Sequence, residues 1–298
     1  LNSSSSPSSS SSSFTLVGIP SLQPSPRCLG ILFCSTYITA LLGNGLVLLV
    51  IALDPSLRDP LHCFLAMLAT VDVAMVTSIV PTVLRVLWRS SAEIGFPACM
   101  VQMFFIHSST SEESGVLLAM AVDRYVAICH PLRYQTILNR QTIALISLAI
   151  LLRGLLLMLP MSALVIALPY CQSRRVAHSY CEHAAVAELA CADHRVVGVY
   201  SLAASSLVVG MDVALIAVSY GLILRASLGR TSRAKTLGTC GSHLCVLLLY
   251  YGPGIVSIYA EQFRGGGGIS GPARVLLAQL YVVLPTLLNP IIYSLRTE

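Results

Sequence analysis

The segment MAVDRYVAICHPLRY, residues 120–134, ends a long apolar run with the charged pair Asp123 and Arg124. Arg133 follows before the segment closes. An apolar run of about 20 residues crosses the hydrocarbon core of a bilayer as one helix, and basic residues collect where such helices reach the cytoplasm. The segment therefore predicts the inner end of a membrane-spanning helix.

The composition of the whole chain supports a membrane protein. The 298 residues are 55% hydrophobic and 10% charged, whereas soluble domains carry roughly 25% charged residues. Only helices and closed barrels satisfy every backbone group within lipid, and barrel strands alternate apolar with polar residues. The apolar runs of this chain are continuous, so we predict helices.

Seven such runs are predicted, which makes the fold an all-α, seven-transmembrane helix bundle. Their approximate spans are 28–53, 61–87, 97–128, 141–167, 196–225, 236–262 and 273–295. They form one domain over residues 27–298. Residues 1–26 begin with an uncharged Ser-rich stretch, whose composition predicts a disordered extracellular tail.

The orientation follows from lysines and arginines in short loops. Arg133 and Arg140 follow the third span, and Arg230 and Lys235 follow the fifth. This bias predicts an N-terminus outside the cell and a C-terminus inside. Asn2 begins an Asn-Ser-Ser glycosylation sequence, which agrees with an outer N-terminus.

Four cysteines fall in segments that face outward in this topology. They are Cys99, Cys171, Cys181 and Cys191. Extracellular cysteines tend to be paired, but four allow three connectivities, and spacing alone does not choose among them.

Several further motifs follow in order along the chain. They include Asn44, Asp72, KTLGTCGSHL at 235–244 and LNPIIYSLR at 288–296. Together with Asp-Arg-Tyr, this set resembles the olfactory receptor family of rhodopsin-like G-protein-coupled receptors. QMFFIH at 102–107, HSYCEH at 178–183 and LACAD at 189–193 resemble its class I, or fish-like, branch.

The resemblance implies an odorant receptor without enzymatic activity. Its partners would be a small volatile odorant, a heterotrimeric stimulatory G protein that raises cAMP, and membrane lipid. No nucleic acid and no cofactor are expected. The implied location is the plasma membrane, in the cilia of olfactory neurons. The alternative is an ion- or proton-coupled transporter or channel that uses Asp72, Glu113 and Asp212. Transporters usually show internal repeats, and the sequence shows none.

The resemblance also implies a G-protein switch at the inner end. Asp123 would hold Arg124 at rest through a charge-assisted pair. Activation in the family swings the sixth span outward and opens a cavity lined by that arginine. The residues expected in this switch are Asp123, Arg124, Tyr125, Tyr220, Lys235, His243, Asn289, Pro290 and Tyr293.

Asp72 and Glu113 are two acids deep in the membrane, where ionisable groups are costly and usually functional. Like charges placed close together do not both ionise without a counter-ion. The resemblance implies a sodium ion between them. The alternative is protonated carboxyls hydrogen-bonded to Asn44, Asn289 or Ser114. Elsewhere in the membrane, Asp212 is predicted to be a structural hydrogen-bonding group, and Arg153 is a base for which the sequence names no partner.

Helical spacings of three and four select one face near the outer half of the third span. With matching stripes on the fifth, sixth and seventh spans, this face is where the resemblance implies a ligand pocket, with His107 among its residues; the alternative for each residue is simple helix–helix packing. The predicted residues are Ile106, His107, Thr110, Ser111, Ser114, Ser201, Ser205, Tyr251, Gly254, Ile255, Ile258, Gln262 and Gln279.

Class I receptors often recognise carboxylic acids, and resembling members anchor the carboxylate with an arginine near the outer end of span six. Gln262 stands at that position, and Arg264 points about 200° around the helix. A carboxylate would lose its bidentate partner, and Glu112 stands where class I members usually have Met. We therefore expect a weakened preference for acids, in favour of neutral polar odorants such as alcohols, esters, ketones and lactones.

The resemblance finally chooses among the cysteine pairings. It implies Cys99–Cys181, which ties span three to the long outer loop, and Cys171–Cys191 within that loop. Residues 168–195, called the outer lid below, are thus expected to be a stapled cover.

Overall fold

Seven long helices form a bundle in a computed structural model, which describes residues 13–18, 26–171, 174–227, 233–260 and 271–294. The prediction of an all-α seven-helix bundle is confirmed. The helices, in chain order, are α1 (Pro26–Leu53), α2 (Pro60–Arg89), α3 (Phe96–Cys129), the short α4 (Tyr134–Ile137), α5 (Arg140–Ile166), the short α6 (His183–Ala187), α7 (Arg195–Ser227), α8 (Arg233–Ala260) and α9 (Gly271–Ser294). A 3-10 turn, Pro131–Arg133, joins α3 to α4.

Most of these helices are long and apolar enough to cross a bilayer. Among the described residues, α1, α2, α5, α7 and α9 each meet that test, and α3 joined to its bent continuation through α4 makes a sixth. The apolar part of α8, His243–Tyr259, is shorter. Leucines such as Leu42 and Leu156 are 69% and 66% exposed. Because large exposed apolar surfaces are favourable in lipid and rare in soluble proteins, these leucines indicate helix faces that contact the bilayer.

Local sequence sets several helix starts. Asp59 accepts a hydrogen bond from the His62 amide, and Pro60 occupies the first turn of α2. Asn139 accepts a 3.0 Å hydrogen bond from the Thr142 amide at the start of α5. These short polar side chains satisfy amides that have no partner within the helix.

A small sheet lies over the end of the bundle that the sequence predicts to face outward. It consists of β1 (Ser13–Leu16), β2 (Ala92–Gly95) and β3 (Arg175–Val176), in the order β2-β1-β3. β1 runs antiparallel to β2 and parallel to β3.

The sheet corrects one expectation. The sequence predicts disorder for all of residues 1–26, but Ser13–Leu16 forms the middle strand of the sheet. Phe14 and Leu16 both point inward and are 2% and 0% exposed, because every second side chain of a strand points to the same face of the sheet. Asn2 lies outside the described residues.

The outer lid contains both predicted disulfides, and one of them joins it to the bundle. Cys99 and Cys181 join the start of α3 to the lid, with Cα atoms 5.4 Å apart. Cys171 and Cys191 close the lid on itself, with Cα atoms 5.9 Å apart. Each such bridge stabilises a fold by roughly 2–4 kcal/mol.

The third helix is the centre of the bundle, and this decides where a site can form. α3 packs against α2, α5, α7 and α8. Its inner half belongs to the largest apolar core, with Phe64, Leu117, Met120 and Ile223 almost fully buried. Its outer half carries polar side chains instead, and these face the other helices and the lid.

Candidate functional site

The outermost polar cluster joins α3, α7 and the lid through His183. The Nδ1 atom of His183 lies 3.2 Å from Nε2 of His107 on α3. Its Nε2 atom lies 2.7 Å from the hydroxyl of Ser201 on α7. The Glu182 carboxylate is 2.7 Å from the same Nδ1. Two predicted ligand residues, His107 and Ser201, are thus linked through a lid histidine that the sequence analysis did not select.

The charge in this cluster is held by Glu182. Burial raises the pKa of its carboxyl, but His183, His178 and the Ala185 amide together outweigh burial and leave the pKa below its ordinary value. Burial lowers the pKa of His178 to about 4, an effect that Glu182 partly opposes. The carboxylate is therefore ionised at neutral pH, while His178 is neutral.

The lid beside this cluster is anchored through the Gln102 amide group on α3. Its carbonyl accepts a 3.0 Å hydrogen bond from the Cys181 backbone amide. Its nitrogen donates to the Ser78 carbonyl at 2.6 Å and to the Thr82 hydroxyl at 3.0 Å. A buried amide with these partners fixes the position of the lid relative to α2 and α3.

A second polar cluster lies deeper, where Arg153 of α5 reaches Asp212 of α7. One guanidinium nitrogen contacts both carboxylate oxygens, at 2.8 and 2.9 Å. The other donates to the Ser111 carbonyl at 2.5 Å. Asp212 is 0% exposed. The base for which the sequence names no partner is therefore half of a buried ion pair, and Asp212 makes hydrogen bonds as expected.

Ser114 extends this pair to α3 and α8. Its hydroxyl donates to Asp212 at 2.5 Å and lies 2.9 Å from the Tyr251 hydroxyl. The neighbouring Tyr250 hydroxyl donates to the Thr110 carbonyl at 2.6 Å. Hydrogen bonds therefore connect α3, α5, α7 and α8 at one depth, and Ser114, Tyr251 and Thr110 are predicted ligand residues.

At the inner end, Asp123 is held by two neighbours. The Arg124 guanidinium approaches its carboxylate to 3.8 Å, and the Tyr134 hydroxyl donates to it at 2.6 Å. Asp123 is 1% exposed. The expected contact between Asp123 and Arg124 is present, although long. Tyr134, at the start of α4, is a further partner of Asp123.

A tyrosine and a histidine link α7 to α8 above this pair. The Tyr220 hydroxyl lies 2.6 Å from Nδ1 of His243. The Tyr293 hydroxyl on α9 is buried without a hydrogen-bond partner among the described residues. Tyr125 instead contacts His130, at 3.2 Å. The side chain of Lys235 lies outside the described part of α8.

Comparison with known proteins assigns the chain to a family. The sequence model described as "Olfactory receptor" matches residues 33–298. The chain belongs to the olfactory receptor family. Two Homo sapiens relatives, olfactory receptors 52I2 and 52I1, are each 49% identical over 289 residues; the aligned region covers 96% of this chain and 82% and 89% of theirs. Olfactory receptor 52J3 of Homo sapiens is 45% identical over 288 residues, covering 96% of this chain and 92% of its own.

Membership of the olfactory receptor family settles several expectations. The chain is a G-protein-coupled receptor of the plasma membrane with seven spans, its N-terminus outside and its C-terminus inside. Olfactory receptors are receptors rather than enzymes, and the transporter alternative is not favoured. The class I features of the sequence agree with the relatives that match.

The remaining predicted ligand residues of this olfactory receptor divide by burial. Ile106 and Gln279 are buried, at 3% and 4% exposed. Gly254 lies so close to Tyr281 that a Cβ atom there would be 2.7 Å from the tyrosine ring. Half-buried members are Thr110, Ser205 and Ile258.

Ile255 differs from this pattern. It is 38% exposed, and it follows Tyr251 by four residues, so it lies at the exposed margin of the same face of α8. Gln262 lies outside the described residues.

The larger of the two cavities described is separate from the predicted ligand residues. Its volume is about 350 Å³, and it lies between the outer end of α2 and β2. Its lining residues are Arg85, Arg89, Ser91, Ala92 and Glu93. Among the predicted ligand residues, Ser114 and Tyr251 are hydrogen-bonded to each other, and His107 and Ser201 both contact His183.

The two deep acids form part of another buried group. Asn289 donates to one Asp72 oxygen at 3.0 Å, while the other Asp72 oxygen and one Glu113 oxygen are buried without a hydrogen-bond partner among the described residues. Asn44 bonds the Thr286 and Ala40 carbonyls instead, and Ser114 bonds Asp212. Buried carboxylate oxygens of this kind are suitable ligands for a hard cation, while the bond from Asn289 is one that the alternative of protonated carboxyls also predicts.

Proposed function

We propose that this receptor binds a small volatile odorant in the outer half of the bundle and activates a stimulatory G protein that raises cAMP. The observation that carries the proposal is the hydrogen bonding of Ser114 to Tyr251 and Asp212. It joins α3 to α8 and α7 at the inner edge of the predicted pocket, so an odorant group that competes for these bonds changes how α8 packs.

The pocket proposed for the odorant lies between α3, α7, α8 and α9. Its outer edge is formed by His107 and Ser201, and its inner edge by Ser114 and Tyr251. Seven residues of helix separate His107 from Ser114, which is about 10 Å along α3. The further residues proposed to line it are Ile106, Thr110, Ser111, Ser205, Gly254, Ile255, Ile258, Gln262 and Gln279.

Coupling to the inner end follows from a two-state equilibrium. An odorant shifts that equilibrium only by its difference in affinity for the two states. In the active state, Arg124 leaves Asp123, and Tyr220 and Tyr293 rearrange around the arginine as α8 moves outward. Pro253 lies inside α8, and it removes a backbone hydrogen bond that would stiffen the helix. This supports movement of α8 rather than of α3.

The odorant class proposed is neutral and polar. A carboxylate needs a cation to offset its dehydration, and Arg153, which lies beside Ser111, is already bound to Asp212. Gln262 offers an amide rather than a charge at the position that resembling receptors use. Hydroxyls of Ser114 and Tyr251 suit alcohols, ketones, esters and lactones, which exchange neutral hydrogen bonds.

A sodium ion is proposed as an additional ligand of the resting state. Asp72 and Glu113 would hold it, and the ion would supply positive charge that lets both carboxylates ionise. Sodium should reduce the potency of an odorant for the intact receptor, and Asp72→Asn should abolish this sodium dependence. Equal potency of the odorant in sodium and in N-methylglucamine would contradict the ion.

The function is tested by an odorant panel against a cAMP reporter in cells that display the receptor at their surface. Matched acids and alcohols of equal chain length separate the ligand classes, and we expect alcohols to be at least as potent. Arg124→Ala should abolish the response at equal surface level, whereas Arg140→Ala, in the same inner region, should keep it. A selective response to acids that Gln262→Ala abolishes would contradict the ligand class, and substrate flux that survives Arg124→Ala would support transport.

A further inference from the structure

Three metal-ligating side chains converge between α3 and the lid. The donor atoms of His107, Glu182 and His183 all lie within 4.8 Å of one another. His107 lies on α3, whereas Glu182 and His183 are neighbours in the lid. The distance between Nε2 of His107 and Nδ1 of His183 is 3.2 Å. Two imidazoles and one carboxylate form a ligand set that zinc uses in proteins.

The spacing of the donors fits one small ion. Zinc binds imidazole nitrogen at roughly 2.0–2.1 Å with tetrahedral angles, which places neighbouring ligand nitrogens about 3.3 Å apart. The measured 3.2 Å between Nε2 of His107 and Nδ1 of His183 matches that edge. A Glu182 oxygen lies 2.7 Å from the same Nδ1, and the donor atoms of all three residues lie within 4.8 Å of one another, so the carboxylate is placed to supply a third ligand.

The atoms that do not face the ion are already fixed. Nε2 of His183 lies 2.7 Å from Ser201, so the tautomer with a proton on Nε2 donates to that hydroxyl and leaves the lone pair of Nδ1 for a metal. The second oxygen of Glu182 accepts a 2.8 Å hydrogen bond from the Ala185 amide, which leaves the first oxygen available. Such outer partners orient ligands and raise metal affinity in known sites.

The charge and accessibility of the cluster also suit a cation. Glu182 is the acidic member of the three, and a carboxylate there would offset part of the charge of the ion. The side chains of Glu182 and His183 are each 16% exposed, so an ion can reach them from the outer solution, while enough surface is covered to strengthen its attraction to the carboxylate.

We propose that His107, Glu182 and His183 form a zinc-binding site that fastens the outer lid to α3. Zinc takes the place of the proton that Nδ1 of His183 shares with Glu182 in the metal-free receptor; the ring then carries its one proton on Nε2, where it donates to Ser201, so His183 stays neutral. Three protein ligands leave the fourth tetrahedral position for water. The site goes beyond odorant binding, although His107 and Ser201 also belong to the proposed pocket, and it is measurable without any odorant.

The site predicts a mechanical consequence for the lid. The Cys99–Cys181 bridge already holds the chain directly before Glu182. A metal bond from His183 to His107, about two turns further along α3 from Cys99, would add a second fastening and restrict movement of the short helix α6.

The test is metal binding by the purified, disulfide-intact receptor in nanodiscs. Titration with Zn²⁺ against a chromogenic chelator should give one site per receptor, and Co²⁺ should give the visible absorption of a tetrahedral complex. His107→Ala and Glu182→Gln should each weaken zinc at least tenfold. Ser201→Ala, which leaves all three ligands in place, should weaken it by roughly 10-fold or more. His194→Ala, an exposed lid histidine outside the cluster, should bind zinc normally.

Thermal unfolding provides a second measurement, and it does not require that the variants be purified in equal amounts. Zinc should raise the Tm of the wild type and of His194→Ala, but not that of Glu182→Gln, whose amide oxygen still accepts from Ala185. A wild type that binds less than one zinc at micromolar concentrations overturns the proposal. So does zinc binding that survives both His107→Ala and Glu182→Gln. If one of these variants does not fold, Ser201→Ala decides in its place.

Discussion

Arg153 and Asp212, 59 residues apart on α5 and α7, form a buried ion pair that positions the Ser114 hydroxyl at the centre of the bundle. Arg153 is 18% exposed and Asp212 is 0% exposed. The pair occupies a depth at which single charges are rarely tolerated. The ion pair explains how the receptor holds two ionisable groups within the membrane. It also joins α5 to α7, two of the four helices that hydrogen bonds connect around Ser114.

Breaking this pair from one side should be severe. Arg153→Gln or Asp212→Asn leaves the other charge buried without its partner, which costs about 3–5 kcal/mol. We expect a large fall in Tm of the purified receptor for each single variant. The double variant Arg153→Met, Asp212→Leu should recover much of that loss, because no charge then remains buried. A double variant no more stable than either single one would contradict the assignment of the pair.

Removing the Ser114 hydroxyl should affect signalling more than stability. In Ser114→Ala, Asp212 keeps its two contacts with Arg153 and loses only one hydrogen bond, a loss of about 1 kcal/mol. Odorant potency in the cAMP assay should fall about tenfold or more, because Tyr251 loses its link to α3. Ser206→Ala is the matched control: its hydroxyl also joins α7 to α8, through Tyr259 at 3.1 Å, but on the exposed face. Equal losses for both variants would argue against a pocket at Ser114.

Tyr134→Phe should raise signalling without odorant. The phenol donates to Asp123 at 2.6 Å, and a hydrogen bond to a charged group contributes about 1.5–3 kcal/mol. Without it, Asp123 is less firmly held in the resting arrangement, so basal cAMP at equal surface level should rise several-fold. Tyr200→Phe removes a tyrosine hydrogen bond to Leu157 at the other end of the bundle and should leave basal cAMP unchanged. Unaltered basal cAMP in Tyr134→Phe would show that this bond does not restrain the switch.

Acidification should loosen the lid. Burial lowers the pKa of His178 from 6.5 to about 4, so the folded receptor binds fewer protons there than the unfolded chain between these values. Stability therefore falls as pH drops from about 6.5 towards 4. The lowered pKa of Glu182 acts in the same direction below its ordinary value of 4.5. From pH 7 to pH 5, His178 alone should contribute a loss of roughly 2 kcal/mol.

The measurement is Tm in nanodiscs at pH 7 and pH 5. His178→Gln should reduce the pH-dependent fall in Tm, since glutamine does not titrate. His194→Gln changes an exposed histidine and should leave the fall as in the wild type. A His178→Gln receptor that loses as much Tm as the wild type would locate the titration elsewhere.

The helices were accessible to sequence reasoning because each depends on a local property. An apolar run of sufficient length predicts a spanning helix wherever it lies, so α1, α2, α5, α7 and α9 follow from composition alone. The cysteine pairing did not follow from spacing. It needed the family resemblance, because two outer cysteines pair across 82 residues.

The site was less accessible because its contacts join distant residues. Nothing in the sequence around Arg153 points to Asp212, since the two meet only when α5 and α7 pack. Strand β1 was missed because two apolar residues in four are too short a signal, and its partner β3 has two residues. The 38% exposure of Ile255 could not be predicted, because periodicity gives the direction of a side chain relative to its own helix, but not how far the neighbouring helices extend around it.

The order of the sheet has a consequence for biosynthesis. β1 pairs with β2 and with β3, and β3 is translated only after α5. The strand made first must therefore wait, with one edge uncovered, until four long helices have entered the bilayer. Such long-range pairing is slow and exposes strand edges to misassembly. Strand β1 is thus locked in place only after α5 and the first part of the outer lid have been made.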